Sequence, residues 1–139
     1  MIVLDTNVLS EALKPLPSPA VLDWLAAQEP SSVFTTAITQ AEVLYGVATL
    51  PAGRRRMRLL AAVEKMFAEE FEDRILPFDE DAAREFAGIV ATREAAGRPI
   101  SQFDGMIAAI ARSHRASVAT RNITDFQDCG TDVINPWAE

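Results

Sequence analysis

The sequence predicts an open α/β fold, a short parallel five-stranded sheet with helices on both faces, in one domain spanning residues 1–139. Three observations carry that expectation. Short apolar runs alternate along the chain with longer stretches of helical period, which argues a parallel sheet covered on both sides. The length of 139 residues is about one domain's worth, enough to bury an ordinary core. No internal repeat, low-complexity segment or shift of composition marks a second domain.

The elements follow in order. Met1-Ile2-Val3-Leu4 is a buried first strand, and Asp5-Thr6-Asn7 turns it into a helix that resumes at Val8-Leu9. Pro15, Pro17 and Pro19 with Ser18 form a stiff connector, and Pro19 opens a helix running to about Gln28. Glu29-Pro30-Ser31 ends it, and Ser32-Val33-Phe34-Thr35 is the second strand. A helix from about Ala37 to Leu50 carries Ile38, Ala41, Tyr45 and Ala48 as its expected apolar stripe, with Glu42 on the border. Pro51-Ala52-Gly53 breaks it, and a second long helix runs from Arg54 to about Glu70. Arg74 to Phe78 reads as the third strand. Asp79 caps the next helix, and Gly97 ends it. After Pro99 a helix spans Gln102 to about Ser113. Ala116 to Thr120 is the fourth strand, residues 121–126 are a polar turn or short helix, and Asp132 to Asn135 is the last strand.

Composition narrows the function classes. The chain is 49% apolar with a mean hydropathy of +0.07, the balance of a compact globule. No apolar run is long enough to span a bilayer. The first residues show neither the basic flank nor the cleavage pattern of a signal peptide. Cys129 is the only cysteine, which excludes an internal disulfide and makes a reducing cytoplasm the expected setting. With one His and one Cys, a structural zinc site is excluded, and any metal is held by oxygen. Twenty acids against 13 bases leave a net charge of −7, which argues against general attraction to nucleic acid but leaves room for a basic partner.

Four acids stand where chemistry is expected. Asp5 and Asp125 follow the first and fourth strands, Asp104 lies in the first turn of a helix, and Glu42 borders a buried helix face. Singly, each has an ordinary explanation. Asp5 is a helix cap, Ser101-x-x-Asp104 is a capping box, Asp125 is a turn residue and Glu42 is a solvated side chain. Together they point elsewhere. The first and fourth strands are natural neighbours where strand order reverses in a doubly wound sheet, and ligands bind in that crevice. Clustered carboxylates need a counter-charge, and neither lysine, Lys14 nor Lys65, follows a strand. Mg²⁺ or Mn²⁺ held by carboxylates and water is the simplest answer, and it suits phosphoryl chemistry. Thr6, Asn7, Thr120 and Asn122 offer hydrogen bonds to waters or phosphate oxygens, and serve equally as caps and turn residues. Arg54, Arg55, Arg56 and Arg58 place basic charge at a helix N-terminus, against the macrodipole. A solvated helix end accounts for them, and a phosphate-contacting rim is the functional alternative.

Four motifs in order, Ile2-Val3-Leu4-Asp5-Thr6-Asn7, Thr39-x-x-Glu42-x-x-Tyr45-Gly46, Asp104-x-x-Ile107-Ala108-Ala109 and Thr120-Arg121-Asn122-x-x-Asp125-Phe126, resemble the PIN-domain ribonucleases. More narrowly the chain resembles the VapC-type toxins of type II toxin–antitoxin pairs, in the FitB-like branch. The resemblance spans the whole chain. It implies an acidic quartet at Asp5, Glu42, Asp104 and Asp125, with Asp128 close enough to compete for the fourth place. It further implies an Mg²⁺- or Mn²⁺-dependent endoribonuclease that cleaves RNA phosphodiesters with a metal-activated water, leaving a 5′-phosphate and a 3′-hydroxyl. It implies a homodimer, and a small DNA-binding antitoxin whose basic C-terminal tail lies in the active site.

Other classes fit less well. A signalling receiver domain has a similar length and an acidic Mg²⁺ pocket, but needs a lysine after a late strand, where Arg121 follows Thr120. An aspartyl phosphatase carries a second Asp two residues on, where Asn7 stands. A PIN-like module that only binds its partner would not need the intact acid set. Asp5-Thr6-Asn7 is no glycine-rich phosphate cradle.

Overall fold

The structure, a computed structural model, describes residues 1–138. Five parallel strands form one sheet in the order β3-β2-β1-β4-β5. They are β1 (Ile2–Leu4), β2 (Val33–Thr36), β3 (Ile75–Leu76), β4 (Ser117–Ala119) and β5 (Val133–Ile134). Six α-helices connect and cover them: α1 (Thr6–Ala12), α2 (Pro19–Ala26), α3 (Ala37–Ala48), α4 (Arg54–Lys65), α5 (Glu80–Ala95) and α6 (Gln102–Ser113). β1 is central. The chain steps from it to β2 and β3 on one side, then crosses to β4 and β5 on the other. The crevice at the carboxyl ends of β1 and β4 is therefore the switch point.

Strand alternation sorts the core into two halves. Val3, Val118, Leu76 and Phe34 face one way and pack with Ala82 and Ile89 of α5 and the run Ile107 to Ala111 of α6. Ile2, Leu4, Val33, Ile75 and Ala119 face the other way, against Val8 and Leu9 of α1, Val21 of α2, Val43 and Val47 of α3 and Val63 of α4. Continuing the alternation from Val3 sends Asp5 toward the α6 side. Among the described residues no helix is long and apolar enough to cross a membrane.

Helix ends follow their caps. Asp5 caps α1 by accepting from the Thr6 N–H, Thr36 caps α3 through the Thr39 N–H, and Asp79 caps α5 through the Ala82 N–H. Ser101 caps α6 through the Asp104 N–H, at 3.2 Å. Pro19 occupies the first turn of α2, and Gly97, at φ 73°, stops α5 in a left-handed turn.

Two expectations need correction. The buried stripe of α3 is Thr39, Val43 and Val47, not Ile38, Ala41, Tyr45 and Ala48, and Tyr45 is 71% exposed. Thr39, Val43 and Val47 are spaced four apart and meet the α1 side. Ile38 reaches round to the opposite core half. The long helix from Arg54 is also not uniform. It is α-helical to Lys65, then widens into one π-type turn over Met66–Glu70, which lets Met66, Phe67 and Phe71 all enter the core.

A core test follows. Ile107 of α6 is fully buried in the core half it shares with α5 and the sheet, whereas Leu16 is 90% exposed. Ile107→Ala should cost about 3 kcal/mol of stability, and Leu16→Ala less than about 0.5 kcal/mol. Urea unfolding measures both, with m unchanged. Equal losses would contradict this packing.

Candidate active site

The four acids come from separate elements. Asp5 ends β1, Glu42 projects from mid-α3, Asp104 sits in the first turn of α6, and Asp125 lies in the 3₁₀ turn Ile123–Phe126 after β4. Asp5 is buried, Glu42 and Asp104 are half-buried, and Asp125 is exposed. Asp5 is electrostatically coupled to Asp104 and Glu42, and Asp104 to Asp125. Asp128 stands apart. It holds a left-handed backbone, φ 59°, and its carboxylate pairs with Arg98.

Hydroxyls and amides fix the inner carboxylates. Oδ1 of Asp5 accepts from the Thr6 N–H at 2.8 Å, and Oδ2 accepts from the buried Thr120 hydroxyl at 2.8 Å. Thr120 Oγ1 in turn accepts from Asn7 Nδ2 at 3.3 Å and from the Asn122 N–H at 3.1 Å. Asn7 Oδ1 takes the Arg121 N–H at 3.3 Å, so the loop after β4 is tied to the start of α1. On the other side, Thr6 Oγ1 lies 2.8 Å from Glu42 Oε1 and 3.1 Å from Thr39 Oγ1. A hydroxyl has one proton and an ionised carboxylate only accepts. Thr6 therefore donates to Glu42 and accepts from Thr39. Thr6, Asn7, Thr120 and Asn122 are all engaged in orienting the acids or the loops that carry them. Thr39, which opens the motif around Glu42, joins them.

Charge is unbalanced here. None of the ion pairs among the described residues involves Asp5, Glu42, Asp104 or Asp125. Burial is the main force on Asp5, pushing its pKa from 3.8 up to about 6, with the Asp104 and Glu42 charges adding to it. The bonds from Thr120 and Thr6 pull the other way and do not overcome it. Burial likewise raises Asp104, with Asp125 adding to the rise and Ser101 and Arg93 opposing it.

The donor set is all oxygen, which suits a hard divalent cation. Among the described residues no three acids are gathered as direct ligands of one ion. That still fits Mg²⁺, which keeps several waters and takes one or two carboxylates directly.

A groove of about 770 Å³ opens beside the acids. Glu42, Ser10 and Lys14 line one part, and Arg54, Arg55 and Arg58 another, over Val43, Val47 and Leu59. Arg56 does not join them, and its guanidinium turns to the Leu50 carbonyl at 3.4 Å. Another arginine, with no role expected from the sequence, is buried in the fold. Arg93, in the last turn of α5, is 4% exposed and reaches the segment that carries Asp125. The signal was available, because Ala82, Phe86, Ile89 and Arg93 follow one helical stripe, and an arginine on an apolar stripe needs a buried partner.

Known proteins share this arrangement of chain. The family model described as PIN domain matches residues 2–129. The VapC ribonuclease Y4jK of Sinorhizobium fredii is 44% identical over 137 residues, covering 99% of this chain and 98% of that protein. Toxin FitB of Neisseria gonorrhoeae is 42% identical, covering 99% of each. Among solved structures, the crystal structure of FitAcB from Neisseria gonorrhoeae matches with a TM-score of 0.95 at 41% identity, covering all of both chains. A structure of FitAB bound to a DNA fragment matches with the same TM-score and identity, covering 100% of this chain and 97% of that one.

The Asp5 shift has a pH signature in metal-free protein. A raised folded pKa favours the protonated fold, so the stabilisation is full below pH 3.8 and is lost as pH rises through about 6. Asp5→Asn removes that ionisation. From pH 4 to 7, the variant should gain about 2 kcal/mol of stability relative to wild type. Denaturant unfolding in EDTA at several pH values measures it. A difference that stays constant with pH would refute the buried, unpaired carboxylate.

Proposed function

The chain belongs to the PIN domain family, and from that premise we propose that it is an Mg²⁺- or Mn²⁺-dependent endoribonuclease, the toxin of a toxin–antitoxin pair. One observation carries the reading: carboxylates from β1, α3, α6 and the turn after β4 act on one another electrostatically, Asp5 with Asp104 and Glu42 and Asp104 with Asp125, without an ion-pair partner among the described residues. The ribonuclease and toxin names of relatives above 40% identity over nearly the whole chain support it.

In this reading Asp5 and Asp104 hold the cation, and Glu42 and Asp125 complete the site. When bound, the ion lowers the pKa of water and neutralises charge building on the scissile phosphate. The chain's own residues supply position. Thr120 and the Thr6 N–H aim the two oxygens of Asp5, and the Thr6 hydroxyl aims Glu42. Asp5, near 6, is mostly ionised at neutral pH, so little free energy is spent deprotonating it for a cation. Asn7 ties the loop after β4 to the start of α1, and the Asn122 N–H closes that loop on Thr120. Arg54, Arg55 and Arg58 give the adjoining groove the local positive charge that an acidic chain needs to take RNA phosphates. Cleavage leaves a 5′-phosphate and a 3′-hydroxyl.

The partner is a small DNA-binding antitoxin, and the toxin is a homodimer. The matching structures of FitAcB and of FitAB on DNA support the pairing. A basic side chain of the antitoxin's tail, entering the crevice, would offset the same unpaired charge that a cation offsets. The setting is the cytoplasm, where RNA is available and the single buried thiol stays reduced.

RNA cleavage by the purified chain tests this. Activity should need Mg²⁺ or Mn²⁺, vanish in excess EDTA, and fall at least a hundredfold in Asp5→Asn. Products should carry 5′-phosphates. Cleavage that survives EDTA, or that leaves a cyclic phosphate, would defeat the metal mechanism.

A further inference from the structure

We propose that Arg93 is a positioning residue of the acid site: its buried guanidinium fastens the backbone of residues 125–127 and thereby sets where Asp125 stands. The proposal rests on the reading of Asp125 as a member of that site.

Its geometry is that of a clamp. Arg93 Nε donates to the Arg98 carbonyl at 2.7 Å, beyond the end of α5. Nη1 donates to the Asp125 carbonyl at 2.8 Å and to the Gln127 carbonyl at 2.9 Å, and lies 3.7 Å from Cys129 Sγ. One planar group therefore joins the end of a rigid helix to a short irregular turn. The turn has little else to hold it. Ile123, Thr124, Asp125 and Gln127 are exposed, and Phe126 and Cys129 are its buried anchors. Its own backbone bonds are Asp125 N–H to the Asn122 carbonyl at 3.1 Å and Gln127 N–H to the Thr124 carbonyl at 3.4 Å.

The partners are all uncharged, which is unusual for an arginine at 4% exposure. No ion pair among the described residues uses Arg93. A buried guanidinium without a carboxylate in contact keeps its field for more distant acids, and Asp104 feels it. The same group thus orders the Asp125 turn and places fixed positive charge within reach of Asp104. An aliphatic residue would fill the space without doing either.

The alternative is that Arg93 only stabilises the fold, and a double-mutant cycle with Asp125 separates the two. Arg93→Lys keeps the charge but loses the planar fork that spans three carbonyls. In the wild-type background it should lower RNA cleavage about tenfold or more. In the Asp125→Asn background it should lower the remaining activity less than twofold, because the residue it positions is already disabled. Amide hydrogen exchange on metal-free protein gives a readout independent of activity. Exchange at residues 123–127 should speed at least tenfold in Arg93→Lys, with β1 and α6 unchanged. Arg98→Ala is the control, since Arg98 ties Gln127 and Asp128 only from the surface. It should leave activity and the exchange of Asp125 near wild type, and it remains informative if Arg93→Lys does not fold. Equal proportional losses in the two backgrounds, unchanged exchange at 123–127, or an Arg98→Ala loss matching that of Arg93→Lys would each overturn the clamp. An Asp125→Asn variant as active as wild type would instead count against the reading of Asp125, while exchange still tests the clamp.

Discussion

Burying Asp5 is the constraint on which the rest of the site depends. A carboxylate at the end of a central strand loses its water, and the fold returns only two hydrogen bonds, from Thr6 and Thr120. These do not offset burial, so its pKa stays near 6. Placing Asp104 and Glu42 within electrostatic reach deepens the problem. Ordinary stability would remove such a cluster or pair it with lysine. Instead the surrounding residues hold the acids in place, and the imbalance is available to whatever positive group enters. A hydrated cation and a basic side chain of a partner would each offset that excess of negative charge, though only the cation can activate water. The proposed activity and its proposed inhibition thus draw on one physical fact.

The fold makes the cluster possible through its switch point. β1 receives β2 on one side and β4 on the other, so the first and fourth strands end side by side although more than a hundred residues separate them. Asn7, Thr120 and Arg121 close that junction with hydrogen bonds across the gap. The two core halves keep the sheet rigid beneath, and Arg93 extends that rigidity from α5 to the turn that carries Asp125. Precision at the site comes from regular elements for three acids and from a clamped turn for the fourth.

Much of this can be read in the sequence, and the exceptions have causes. α6 runs over the expected residues because Ser101 caps it and an unbroken small apolar run follows. The parallel sheet is legible because its strands are short, apolar and separated by helices. The acids stand at strand ends or on half-buried helix faces, which is why they are identifiable as candidates. The buried face of α3 was not legible. Thr39 looks polar, but its N–H is satisfied by Thr36 and its hydroxyl by Thr6, so burial costs little. Tyr45 looks apolar but faces outward. Asp128 has a left-handed backbone and pairs with Arg98, and spacing reveals neither feature. Arg93 was missed because its partners are backbone carbonyls, which carry no signal in side-chain identity.

The central claim is that separate acids share one cation. Calorimetric titration of Mn²⁺ into wild type, Asp5→Asn, Asp104→Asn and the double variant tests it without RNA. If the acids act on one ion, each single substitution weakens binding at least tenfold and the double is little worse than either single, because the site is already broken. Wild-type affinity in both single variants would contradict the claim. So would losses that multiply in the double variant as they do for independent sites.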